Sequence, residues 1–148
     1  MPNWTTNEVT VTAKSAKDLS KFIKQIESED NPFDFEKIEP MPENIFRGNL
    51  GQKEREIHGE NNWYDWSWKN WGTKWNSCHT EFQRFDDKVG MYIFQTAWCA
   101  PVPIWIALSN IYSGQVKGCP AINIEWHCLD EDDDTDGEGY QIEEVANA

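Results

Sequence analysis

A chain of 148 residues with 39% hydrophobic and 14% aromatic content has the length for one domain with a core of its own, built from few but large apolar side chains. A formal net charge of −13 argues against a phosphate-gripping surface, since affinity for nucleic acid rests on Lys and Arg displacing counterions, and it favours partners that are themselves basic. No stretch approaches the ~18 apolar residues that cross a bilayer and no basic-then-apolar leader opens the sequence, so the expectation is a soluble protein of the cytoplasm with no membrane partner.

The first predicted element is a strand. WTTNEVTVTA, 4–13, alternates threonine with valine, so that Val9 and Val11 face one way and Thr10 and Thr12 the other. Ser15 followed three residues later by Asp18 opens a helix in which Leu19, Phe22, Ile23 and Ile26 line one face. Lys14, Lys17, Lys21 and Lys24 run along its wet side, and the helix stops before Pro32. NPFDFEKIEPMPENIF, 31–46, is irregular and proline-punctuated, with Phe33, Phe35 and Ile38 available to fold back on the core. RGNLGQKEREIHGENN, 47–62, is polar and glycine-bounded, which predicts a mobile surface loop carrying a helical turn.

WYDWSWKNWGTKWN, 63–76, then places five tryptophans in fourteen positions. With Asn61 or Asn62 as cap and Gly72 as terminator, it predicts a short helix. On a helical wheel Trp68, Trp71 and Trp75 share a narrow wedge while Trp63 and Trp66 point elsewhere, so a single surface cannot hide every ring. SCHTEFQRFD, 77–86, and GMYIFQTAW, 90–98, read as an antiparallel hairpin closed by Asp86, Asp87 and Gly90. PVPIWIALSNIYSG, 101–114, is a helix with proline in its first turn and Ile104, Ala107, Leu108 and Ile111 on its apolar face. AINIEWHCLD, 121–130, is a strand with Ile122, Ile124, Trp126 and Cys128 on one side, and GYQIEEV, 139–145, is a short last strand. Without the tryptophan-rich insert the order is βαββαβ. The expectation is a single α+β domain over 1–148: a ferredoxin-like antiparallel sheet with two helices on one face, the other face either wet or covered by the insert, which holds a short helix.

Candidate chemistry is sparse. The cysteines at 78, 99, 119 and 128 have no Cys-x-x-Cys spacing, and the Cys-His and His-Cys neighbours at 78–79 and 127–128 point to opposite faces of strands, so neither pair offers two ligands to one zinc. DEDDDTDGEGYQIE, 130–143, matches a calcium-loop spacing through Asp132, Asp134, Asp136, Gly137 and Glu143, but Gly139 stands where an apolar residue is wanted and the flanks read as strands. The favoured reading is a solvated or partner-facing acidic loop of Asp130, Glu131, Asp132, Asp133, Asp134 and Asp136. There is no phosphate loop and no nucleophile elbow, and His58, His79 and His127 lack a local base or nucleophile, so neither catalysis nor a cofactor is expected. Most of the five indoles are expected in the core. The alternative is a groove where Trp63, Trp66 or Trp68 stays accessible beside Tyr64, Asp65, Lys69 and Asn70, able to stack a base, a nucleotide or a partner's arginine.

Four blocks carry a resemblance: MPNWTTNEVTV at the start, NPFDFEKIEPMPE at 31–43, WYDW with NWGTKW inside 63–75, and FQTAWCAPVP at 94–103. Together they resemble the YubB-like proteins, ferredoxin-like domains encoded by phages and conjugative plasmids. The likeness covers most of residues 1–115 and fades after Gly114. It implies the fold and a mobile-element origin, and it implies no activity. The resulting expectation is a non-catalytic accessory protein in the host cytoplasm that binds a host protein with a basic surface, as a counter-defence inhibitor, with the acidic loop steering and tryptophans anchoring. The alternative is a module that sequesters a nucleotide-like ligand in a tryptophan-lined pocket.

Overall fold

Alternating threonine and valine make Trp4–Ala13 the central strand β1 of a computed structural model that describes residues 3–130 and 139–143. Among these residues the chain continues through α1 (Ala16–Ile26), α2 (Phe35–Ile38), α3 (Gln52–His58) and α4 (Trp63–Asn70) to the hairpin β2 (Cys78–Arg84) and β3 (Val89–Ala97). Helix α5 (Val102–Ile111), strand β4 (Ile122–Asp130) and the two-residue β5 (Tyr140–Gln141) follow. The result is an α+β fold with five helices and a five-stranded sheet ordered β2-β3-β1-β4-β5, every neighbour antiparallel.

Local chemistry explains most boundaries. Ser15 caps α1 by accepting from the Asp18 amide at 3.1 Å. The Asp86 carboxylate accepts the Lys88 and Val89 amides at 2.8 and 3.0 Å and closes the hairpin. Between Cys78 and Glu81 the β2–β3 register slips at a bulge, where His79 takes φ 53°.

The core fills one side of the sheet. Val9 and Val11 of β1, Tyr92 and Phe94 of β3 and Trp126 and Cys128 of β4 point to the side covered by α1 and α5, where Leu19, Phe22, Ile104 and Leu108 are fully buried. Phe33 is the keystone. Its ring lies 4.8 Å from Phe94, 5.1 Å from Tyr92 and 5.7 Å from Trp126, so the irregular stretch after α1 does fold back on the core. Burial of such a ring contributes about 1.5–3 kcal/mol.

Two expectations need correction. The insert holds three helices instead of one, because Asp34 and Asn62 cap separate turns and Gly51 opens a third. The helical turn expected within 47–62 is the seven-residue α3, which buries no side chain. The last strand is shorter than expected: only Tyr140 and Gln141 pair with β4, and Ile142 is already helical and buried. The tryptophan insert packs beside α2 and α5 and reaches the sheet's second face only where Trp75 rests against Trp4, leaving Glu8, Glu81 and Glu125 exposed and Thr10, Met91 and Ile93 half-buried.

Candidate functional site

Asn62 organises the start of α4. Fully buried, it accepts the Asp65 amide at 2.9 Å through Oδ1 and donates from Nδ2 to Gly59 O and Asp65 Oδ2, both at 2.7 Å. The cap therefore holds the Asp65 carboxylate at the positive end of the helix. At the other end the Trp71 and Gly72 amides both reach Ser67 O, at 2.8 and 3.0 Å, with Gly72 in the left-handed region at φ 78°.

The five rings part company across this short helix. Trp71 is 5% exposed, donates its indole N–H to Glu39 O at 2.8 Å and meets Phe35 edge-on at 5.7 Å. Trp66 stacks edge-on against Trp71 at 5.3 Å and is only partly buried. Trp63 donates to Gly48 O at 2.9 Å, and Tyr64 bridges Trp63 and Trp68 at 5.8 and 6.2 Å. Trp75 does not share a wedge with Trp68 and Trp71. Left-handed Gly72 ends the helix first, and Trp75 emerges 36% exposed against Trp4, with Lys74 Nζ 4.6 Å above its ring. Of the five rings, Trp71 lies in the core, Trp66 packs partly buried against it, Trp63 and Trp68 are half-buried, and Trp75 is exposed.

Four of the seven candidate residues converge. Asp65, Trp66, Lys69 and Asn70 line a groove of about 460 Å³ together with Glu60 and Asn61, while Trp63, Tyr64 and Trp68 form a row of rings outside it. Glu60 and Asn61 escape any reading by periodicity because they sit in a polar loop, and only the Asn62 cap folds that loop against the first turn of α4. An arginine already occupies the neighbouring surface. The Arg55 guanidinium lies 5.7 Å over the Tyr64 ring and 3.9 Å from Asp65 Oδ2, with both charged side chains well exposed.

Of the acidic candidates, Asp130 is engaged internally, its Oδ1 accepting the Thr5 and Tyr140 hydroxyls at 2.7 and 3.0 Å. Glu131, Asp132, Asp133, Asp134 and Asp136, and with them the calcium-loop spacing, lie outside the described residues. Among the described residues no group of three or more His, Cys, Asp or Glu is placed to hold a metal, and the four cysteines are free thiols. Burial raises the Cys78 thiol pKa; burial and then the Asp130 carboxylate raise that of Cys99, and push Cys128 up to about 12 despite a hydrogen bond that opposes the shift. These three thiols are held protonated and are not primed as thiolate nucleophiles. Among the described residues no helix is long and apolar enough to cross a membrane. No protein-family profile, characterised protein or solved structure matches the chain.

Proposed function

We propose that this chain is a non-catalytic accessory protein that docks on a host protein with a basic surface, with the α4 groove as a contact point. In this reading it belongs with the YubB-like ferredoxin-like domains of phages and plasmids, and it serves counter-defence by covering its target's own site. The strand order β2-β3-β1-β4, with α1 and α5 on one face, supports the ferredoxin-like assignment, because a βαββαβ chain whose two halves interleave gives that order.

The observation that carries docking is Arg55. The α3–α4 surface already takes a guanidinium against Tyr64 and Asp65, and the groove beside it offers the Glu60 carboxylate and the partly exposed Trp66 ring. A surface ion pair of this kind contributes little, so a partner's arginine can displace Arg55 at small cost. Arginine and tryptophan are also the side chains that dominate protein interfaces.

Capture from a bacterial lysate at low salt tests this. A protein retained by the wild-type chain and released by Glu60→Lys supports it. Retention of nothing, or retention that Glu60→Lys leaves unchanged, ends it. A second reading, a nucleotide-like ligand sequestered in the groove, is favoured by the groove's volume, which falls in the range of small-molecule sites. It requires quenched tryptophan fluorescence and a raised Tm with added nucleotide.

A further inference from the structure

The sheet's second face is a different surface with its own chemistry. The strand registers place Glu81, Ile93, Glu8 and His127 in one row across β2, β3, β1 and β4, and Gln83, Met91, Thr10 and Glu125 in the next. Glu8 and Glu81 flank half-buried Ile93, two strand spacings or about 10 Å apart. A recess of about 460 Å³ opens between Glu81, Gln83, Met91 and Ile93. At one end Trp75 rests 6.3 Å from Trp4 with 36% of its surface exposed.

Charge selects the occupant. The three glutamates are exposed and form no ion pair among the described residues, and no outward position on the described strands carries Lys or Arg. The cations Lys17, Lys21 and Lys24 lie on α1, on the covered side of the sheet, and Lys74 lies over the Trp75 ring, away from the three glutamates' strand rows. A second copy of the same acidic face, a nucleic acid and an anionic membrane are all repelled here. Half-buried Met91 and Ile93, and the partly exposed Trp75 ring farther along the same face, suit apolar side chains, and the carboxylates around Met91 and Ile93 suit ammonium or guanidinium groups.

We infer that this open face seats a basic amphipathic segment of a partner protein, its apolar residues on Met91, Ile93 and Trp75 and its Lys or Arg side chains against Glu8, Glu81 and Glu125. The inference rests on the docking reading above and gives that partner a second contact, on the sheet.

The test titrates the full ¹⁵N-labelled chain with a synthetic helix-forming peptide of lysine, arginine and leucine, and with its counterpart in which glutamate replaces every basic residue. Amide shifts from the basic peptide should gather at Glu8, Thr10, Ile93 and Glu125, and the acidic peptide should give none. The triple variant Glu8→Gln, Glu81→Gln, Glu125→Gln should bind the basic peptide about tenfold more weakly, whereas Glu29→Gln, Asp30→Asn, Glu56→Gln, with as many charges removed from exposed sites elsewhere, should bind within about twofold of wild type. Shifts confined to α3 and α4 would overturn the sheet assignment and leave docking at the groove intact. Equal weakening in both triples, or no binding at low salt, would also overturn it, while the groove reading still stands or falls on the lysate capture.

Discussion

Asn7 and Trp126 are joined inside the covered side of the sheet: the indole N–H donates to Asn7 Oδ1 at 3.0 Å, and both side chains are essentially inaccessible. The Cys128 thiol donates to the same oxygen at 3.4 Å, and Asn7 Nδ2 donates to Thr96 Oγ1 at 3.0 Å. Thr96 in turn donates to Cys99 O at 2.8 Å where the chain leaves β3. One amide therefore ties three strands together. Asn7→Leu keeps the volume and strands a buried indole N–H, and each such orphan costs about 1–3 kcal/mol. The expected loss in urea unfolding is about 1–3 kcal/mol, because the Thr96 hydroxyl keeps its bond to Cys99 O. A variant as stable as wild type would show the amide to be dispensable.

Gly72 faces two demands at once. Its φ of 78° disfavours any side chain, and a Cβ there would strike Pro103 Cδ at the start of α5. Gly118 takes φ 86° with open space where a Cβ would stand, so it isolates the backbone cost. Gly118→Ala should lose about 1 kcal/mol and Gly72→Ala about 2–4 kcal/mol, the difference measuring the overpacking at the α4–α5 junction. Equal losses in the two variants would mean that Pro103 yields freely.

What could be read from the sequence was local. Ser15 with Asp18, Asn62, and Gly72 each announce an element end because a side-chain oxygen or a missing Cβ acts within a few residues. The valine–threonine alternation of β1 likewise declared which residues face α1 and α5. The destination of the insert was not legible. Trp71 and Trp75 are four residues apart in similar sequence surroundings, and only the turn at Gly72 with the distant Glu39 carbonyl decides that one is buried and the other exposed. The site was half legible for the same reason. Asp65, Trp66, Lys69 and Asn70 share a helical face that spacing shows, whereas Glu60 and Asn61 reach the groove through a loop whose path no periodicity encodes.

Tyr92 carries a liability that its surroundings do not repair. The ring is fully buried between Phe22, Phe33 and Phe82, and its hydroxyl has no hydrogen-bond partner among the described residues. Removing an unsatisfied buried hydroxyl relieves its desolvation while the ring packing stays. Tyr92→Phe should therefore raise stability by about 1 kcal/mol in chemical denaturation. A loss of similar size would mean that the hydroxyl finds a partner in solution.

Alkaline conditions test the same buried groups together. Burial pushes the Tyr92, Tyr112 and Tyr140 phenols well above their usual 10.0, helped at Tyr92 by the Glu27 carboxylate, and moves Cys128 from 9.0 to about 12. All four are neutral when protonated and keep their protons longer folded than unfolded. Once the pH passes about 9 the unfolded chain releases protons that the folded chain retains, so stability falls as pH rises from about 9 through about 12, and these groups add no slope below that window. Denaturation midpoints should be flat from about pH 7 to about 8.5 and then decline. Cys128→Ala should flatten the early part of that decline, beginning near pH 9.0, and Tyr92→Phe the part above pH 10.0. A decline that both variants leave untouched would place its origin in groups other than these.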